Sequence, residues 1–93
     1  MKATLKDRVI AESDDIVEEG GYRYFPISAV RMEWLEKAPK TASDQACPHG
    51  VQFYDVVMDG KRYRRAAWMY EAPRPSMQHV ARRFSFWDDV EVG

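Results

Sequence analysis

Cys47-Pro48-His49-Gly50 brings the chain's only cysteine beside one of its two histidines. A thiol next to an imidazole is the raw material of nucleophilic catalysis, because the base can generate the reactive thiolate. Side chains two apart in an extended segment point the same way but need a bend to touch, and Pro48 can supply one. Cys47 and His49 are therefore the catalytic candidates. The plainer reading of the same residues is a small buried hydrophobe at Cys47 and a hydrogen-bonded loop residue at His49. Cys47, His49 and His79 fall short of the four ligands of a closed zinc site, so no bound metal and no cofactor are predicted.

These residues sit at the end of an aperiodic stretch, 38–50, in which Pro39, Ser43, Asp44 and Pro48 favour turns. Loops of that length are uncommon in compact domains and are usually functional or disordered. The run Val51–Met58, then Asp59-Gly60, then Lys61–Tyr70 reads as a hairpin. Both central residues of a type I′ turn need positive φ, which Asp-Gly tolerates. The first strand is apolar on both faces, as in a strand covered on both sides. The second is charged at its start and apolar at its end, and so runs from a rim into the core. Pairing them carries Tyr70 back to Gly50. Ligand contacts are expected at His49, Trp68 and Tyr70, with Trp34 and Tyr54 as further lining. Trp34, Trp68 and Trp87 come from separate segments. They either line a site for a flat or cationic ligand or fill a small core.

The rest of the chain reads as short strands. Residues 1–6 alternate weakly, Asp7-Arg8 turns the chain, and 9–11 form a second strand. Asp14-Asp15 precedes a strand at 16–18, and Gly20-Gly21 makes a hairpin into 22–25, which Pro26 stops. A helical turn is predicted at 27–30 and a strand at 31–36. Segment 71–77 carries Pro73 and Pro75 and is irregular, and 78–82 makes a turn of helix. Strands at 84–87 and 90–92 flank a turn at Asp88-Asp89, the last of them closing the sheet. The pattern predicts one domain spanning 1–93. Its class is all-β, mainly antiparallel, a barrel or sandwich with one or two short helical turns.

Ninety-three residues carry 3 Trp, 5 Tyr and 4 Phe, bulky fillers that a domain this small needs. A net charge of −1 gives no pull toward a polyanion or an anionic membrane. The basic run Lys61-Arg62-Tyr63-Arg64-Arg65 reads as a solvated hairpin tip, so a nucleic-acid partner is not expected. No apolar run approaches the roughly 20 residues of a membrane helix, and 1–7 lack the apolar core of a signal peptide. A lone cysteine fits a reducing, cytoplasmic home.

In order and content the chain resembles a bacterial family known as domain of unknown function 427. The segments that carry the resemblance are Ala11-Glu-Ser-Asp-Asp15, Tyr24-Phe-Pro26, Val30-Arg31, Ser43…Cys47-Pro48, Gly50…Tyr54, Asp59-Gly60, Ala66-Ala-Trp68…Tyr70…Pro73 and Phe86-Trp87…Val90. The resemblance implies a compact antiparallel domain of β-tent-like fold. A nucleotidyltransferase label sometimes attaches to the family, but no Gly-Ser pair followed by a paired-Asp metal site occurs here. Two departures stand out. Where the family reads Cys-Pro-aromatic-Lys-Gly, only His49 separates Pro48 from Gly50, and the lysine is absent. Where the family tends to have glycine before the strand near 84, this chain has Arg82-Arg83.

Three functions are compatible with these residues. The leading one is a module that binds a small ligand or partner at the 38–50 loop and the aromatic strand ends. An enzyme using Cys47 or His49 is the alternative. The third is an interaction protein, monomeric or homodimeric through an aromatic face.

Overall fold

The computed structural model describes residues 1–93. Nine strands form two antiparallel sheets: β1 (Lys2–Leu5), β2 (Arg8–Glu12), β3 (Val17–Glu19), β4 (Tyr22–Pro26), β5 (Leu35–Lys37), β6 (Val51–Met58), β7 (Lys61–Tyr70), β8 (Arg83–Phe86) and β9 (Glu91–Val92). The smaller sheet has the order β2-β1-β9 and the larger β3-β4-β8-β7-β6-β5. One helix, α1 (Ala42–Ala46), and 3-10 turns at Ile27–Ala29, Met32–Trp34 and Pro75–Val80 complete the chain. No helix is long and apolar enough to cross a membrane.

The core lies between the sheets. Ala3, Leu5, Ile10 and Val90 from the small-sheet side pack with Phe25, Tyr54, Val56, Ala67, Met69, Phe84 and Phe86 from the large sheet. Alternation explains the division. In β8, Phe84 and Phe86 enter this core, while Ser85 between them is fully buried on the opposite face and donates its hydroxyl to the Arg23 carbonyl at 3.0 Å. The large sheet therefore has a second, partly covered face.

The β6–β7 hairpin is paired as the sequence predicts, with Asp59 (φ 52) and Gly60 (φ 75) both left-handed in the turn. It also holds a bulge. Tyr54 opposes Ala67, but Val56 opposes Tyr63, so Asp55 alone faces Arg64, Arg65 and Ala66.

Several expectations need correction. The first hairpin turns at Lys6-Asp7, both left-handed, rather than at Asp7-Arg8, because Leu5 pairs with Arg8. The predicted strand at 31–36 begins as a 3-10 turn at Met32–Trp34, and only Leu35–Lys37 pairs with β6. Stretch 38–50 is not structureless: α1 forms within it on a capping box. The Asp44 amide donates to the Thr41 hydroxyl at 3.2 Å, and the Thr41 amide donates to the Asp44 carboxylate at 3.0 Å. The helical turn expected at 78–82 runs from Pro75 to Val80, with Pro75 pre-set for the first helical position. The last strand pairs with β1 and does not close a barrel. Both sheets are open, and their edges β2, β3, β5 and β9 have at most five residues each, which limits edge-to-edge pairing.

Candidate functional site

The second face of the large sheet is aromatic. Phe53 and Trp68 are direct cross-strand partners, as are Val51 and Tyr70, and Ser85 lies opposite Trp68. This puts Tyr22 and Tyr24 of β4 and Trp87 after β8 on the same side. The rings form a continuous series. His49 meets Tyr70 at 5.6 Å between centroids, Tyr70 meets Tyr24 at 6.3 Å, and Tyr24 meets Trp68 at 6.3 Å. Trp68 then meets Tyr22 and Trp87, each at 4.9 Å, and Trp87 stacks on Phe53 at 5.8 Å. Trp68 and Tyr24 form the buried floor, His49, Tyr70, Phe53 and Trp87 are half-buried, and Tyr22 is exposed. Burial pushes the Tyr24 phenol up to about 12, partly opposed by the Trp68 side chain and reinforced by Tyr70.

The His49 end is built by backbone. The Glu71 amide donates to the Gly50 carbonyl at 2.9 Å and the Ala72 amide to the His49 carbonyl at 3.3 Å, which extends the hairpin register beyond β7. Gly50 is left-handed (φ 66), and a Cβ there would meet the Ala72 nitrogen at 3.3 Å. Glycine is thus favoured both by the conformation and by this close approach. The Arg74 amide donates to His49 Nδ1 at 3.0 Å, which leaves Nε2 as the proton-bearing nitrogen of the neutral ring.

The opposite end is organised by Arg65 in the bulge (φ 53). Its amide donates to Asp55 Oδ1 at 2.9 Å, and its carbonyl accepts the Trp87 indole N–H at 2.6 Å. Its guanidinium forks onto the Asp44 carboxylate at 3.0 and 2.9 Å and lies 4.0 Å from the centre of the Phe53 ring. The Arg65 hydrogen bonds, helped by the Thr41 cap and opposed by burial, hold the Asp44 carboxyl at about 2. Asp55 is also held below the ordinary carboxylate range. Burial works against that shift, and the Arg65 amide and the Arg62 guanidinium at 2.8 Å outweigh it. So α1, the bulge and the aromatic face are fastened at one point. The basic run read as a solvated tip is in part committed: Arg62 and Arg65 pair with carboxylates, while Arg64 extends into solvent.

Of the residues singled out from sequence, His49, Tyr70 and Trp68 come together, as hairpin pairing leads one to expect. Tyr54 points to the other face, where it is buried with its ring 4.9 Å from Phe84. Trp34 stands apart beside Arg31, whose guanidinium lies 5.3 Å from its ring. Cys47 is half-buried at the end of α1, with its amide bonded to the Asp44 carbonyl. Sequence reasoning missed Tyr22, Tyr24, Phe53 and Arg65. Period-two alternation from Tyr22 to Tyr24 would have put those two on one face. Nothing in the sequence links Arg65 to Asp44.

The surface also has an open depression of about 570 Å³ between β2 and the 3-10 turn at Ile27–Ala29, lined by Val9, Ile10, Glu12, Ser28, Val30 and Arg31. It holds no aromatic ring and lies away from the aromatic face. A smaller one, about 230 Å³, adjoins the start of the 38–50 stretch between Pro39, Thr41, Arg64 and Arg65.

These features define a small two-sheet antiparallel β-domain with one aromatic sheet face. The family model described as domain of unknown function (DUF427) matches residues 1–92, and the chain belongs to that family. No curated protein matches it.

Proposed function

We propose that the protein is a binding module for a small flat ligand, received on the aromatic face at the end formed by His49, Tyr70 and Trp68. The observation that carries this reading is the unbroken ring series from His49 to Trp87, assembled from β4, β6, β7, the segment after β8 and the end of the 38–50 stretch. Convergence of sequence-distant loop and strand ends on a rigid sheet is how binding sites are commonly built. Half-exposed rings over a buried aromatic floor offer stacking area at low entropic cost. His49 adds a pre-oriented N–H donor, because its other nitrogen is already bonded to the Arg74 amide. Tyr54 and Trp34 lie outside this arrangement.

The same His49 bond bears on the catalytic alternative. A base for Cys47 would have to use His49 Nε2, since Nδ1 is occupied, so Cys47 is read as flanking the site. Selective alkylation of Cys47 at neutral pH would reverse that assignment. The lone cysteine fits a cytoplasmic location, and the ligand is read as a small molecule rather than a nucleic acid.

A thermal-shift screen of aromatic metabolites tests the proposal, because a ligand that binds only the native state raises the melting temperature by mass action. Hits should quench tryptophan fluorescence and lose their effect in His49→Ala and Tyr70→Ala. Hits that keep their full effect in both variants would contradict it.

A further inference from the structure

Two arginines flank the His49–Tyr70 pair and have nothing to neutralise them. The segment between β7 and β8 leaves the sheet as the 3-10 turn Pro75–Val80 and returns, and each end of this excursion is bonded to one member of the pair. At the outgoing end the Arg74 amide donates to His49 Nδ1 at 3.0 Å. At the returning end the Arg82 amide donates to the Tyr70 carbonyl at 3.3 Å. Both arginines are exposed, and neither side chain makes an ion pair or a hydrogen bond. Six other arginines, Arg8, Arg23, Arg31, Arg62, Arg65 and Arg83, each have a carboxylate, and Arg64 in the β6–β7 bulge is the one further unpaired arginine. The acids around this end are also committed, Glu71 to Lys40 at 3.2 Å and Glu19 to His79 at 2.6 Å. Arg74 and Arg82 therefore bring two unpaired cationic residues to the backbone of the His49–Tyr70 end.

Position 82 also allows a substitution that the backbone tolerates. Its backbone is left-handed (φ 58) in the turn that leads from Val80 into β8. Glycine takes that conformation at little cost and a side chain does not.

From this placement we infer that the ligand carries an anionic group, a carboxylate or a phosphate, bound between Arg74 and Arg82 while its flat part lies on Tyr70 and His49. Guanidinium forks match both oxyanions in geometry and bind them more strongly than neutral groups. The inference rests on the binding reading above and narrows its ligand class.

Three probes test it on the full chain with nitrogen-15 labelling: benzoate, phenyl phosphate and the uncharged benzamide. Both anions should bind more tightly than benzamide, shifting the Arg74 and Arg82 side-chain Nε signals together with the Tyr70 amide. The tighter of the two anions assigns the group. Arg74→Gln with Arg82→Gly should weaken anion binding by about tenfold or more and leave benzamide unaffected. Because Arg82→Gly relieves the left-handed strain, it should melt no lower than the parent, which separates lost binding from lost folding. Equal affinity for benzamide and the anions, or unchanged anion affinity in the double variant, would overturn the inference while leaving the binding module standing. Failure of all three probes to move any signal on the aromatic face would overturn it and count against the binding module as well.

Discussion

At the residue scale, Arg65 has a partner for its amide, its carbonyl and both terminal guanidinium nitrogens, and it also covers the Phe53 ring. Its bidentate bond holds Asp44 ionised down to about pH 2, below the ordinary 3.8. A depressed folded-state value means that this stabilisation is complete above the unfolded value and is lost as pH falls through about 4 toward 2. Asp44→Asn should therefore cost about 1–3 kcal/mol at pH 7, less than a fully buried broken pair because Arg65 can still reach water. The difference from the parent should vanish near pH 2, as read from urea melts across that range. Arg65→Lys should also destabilise, since an ammonium cannot reproduce the fork or the stacking. Gly50→Ala should cost about 1–2 kcal/mol from its left-handed backbone alone. The contact with Ala72 adds to that, and the amide signals of Glu71 and Ala72 should move.

At the element scale, the β6–β7 hairpin was the most legible part of the chain. Asp59-Gly60 marks its turn, and an apolar run and a run that passes from charged to apolar mark its strands. The meeting of His49, Trp68 and Tyr70 follows from that register. The bulge was not legible, because three residues opposite one leave no mark in the hydrophobic pattern; they depend on Asp55 and Trp87 receiving the Arg65 backbone. Helix α1 was legible in principle through Thr41-x-x-Asp44, but its five residues are too short to show a helical period. The 31–37 segment split between a 3-10 turn and a strand because Met32, Trp34 and Leu35 satisfy either pattern locally. Trp68 lies where β4, β6, β7 and the Trp87 ring meet, and it is 5% exposed. Trp68→Ala should cost roughly 3–5 kcal/mol, as large aromatic truncations do. Chemical denaturation checks this, and a loss under about 1 kcal/mol would mean that the aromatic face closes over the gap.

At the scale of the whole molecule, the two faces of the large sheet have different tasks. One is covered by the small sheet and forms the core. The other keeps a row of rings only partly covered, with Arg65 at one end and Arg74 and Arg82 at the other. Tyr24, deepest in that row, should ionise only near pH 12 in an ultraviolet titration. Amide and aromatic chemical-shift mapping with any ligand found by screening tests the central claim most directly, since it reads the aromatic face and the larger open depression together. Shifts concentrated on His49, Tyr70, Trp68, Tyr22, Phe53 and Trp87 are the predicted result. Shifts confined to residues 9–12 and 28–31, with the aromatic face silent, would contradict it.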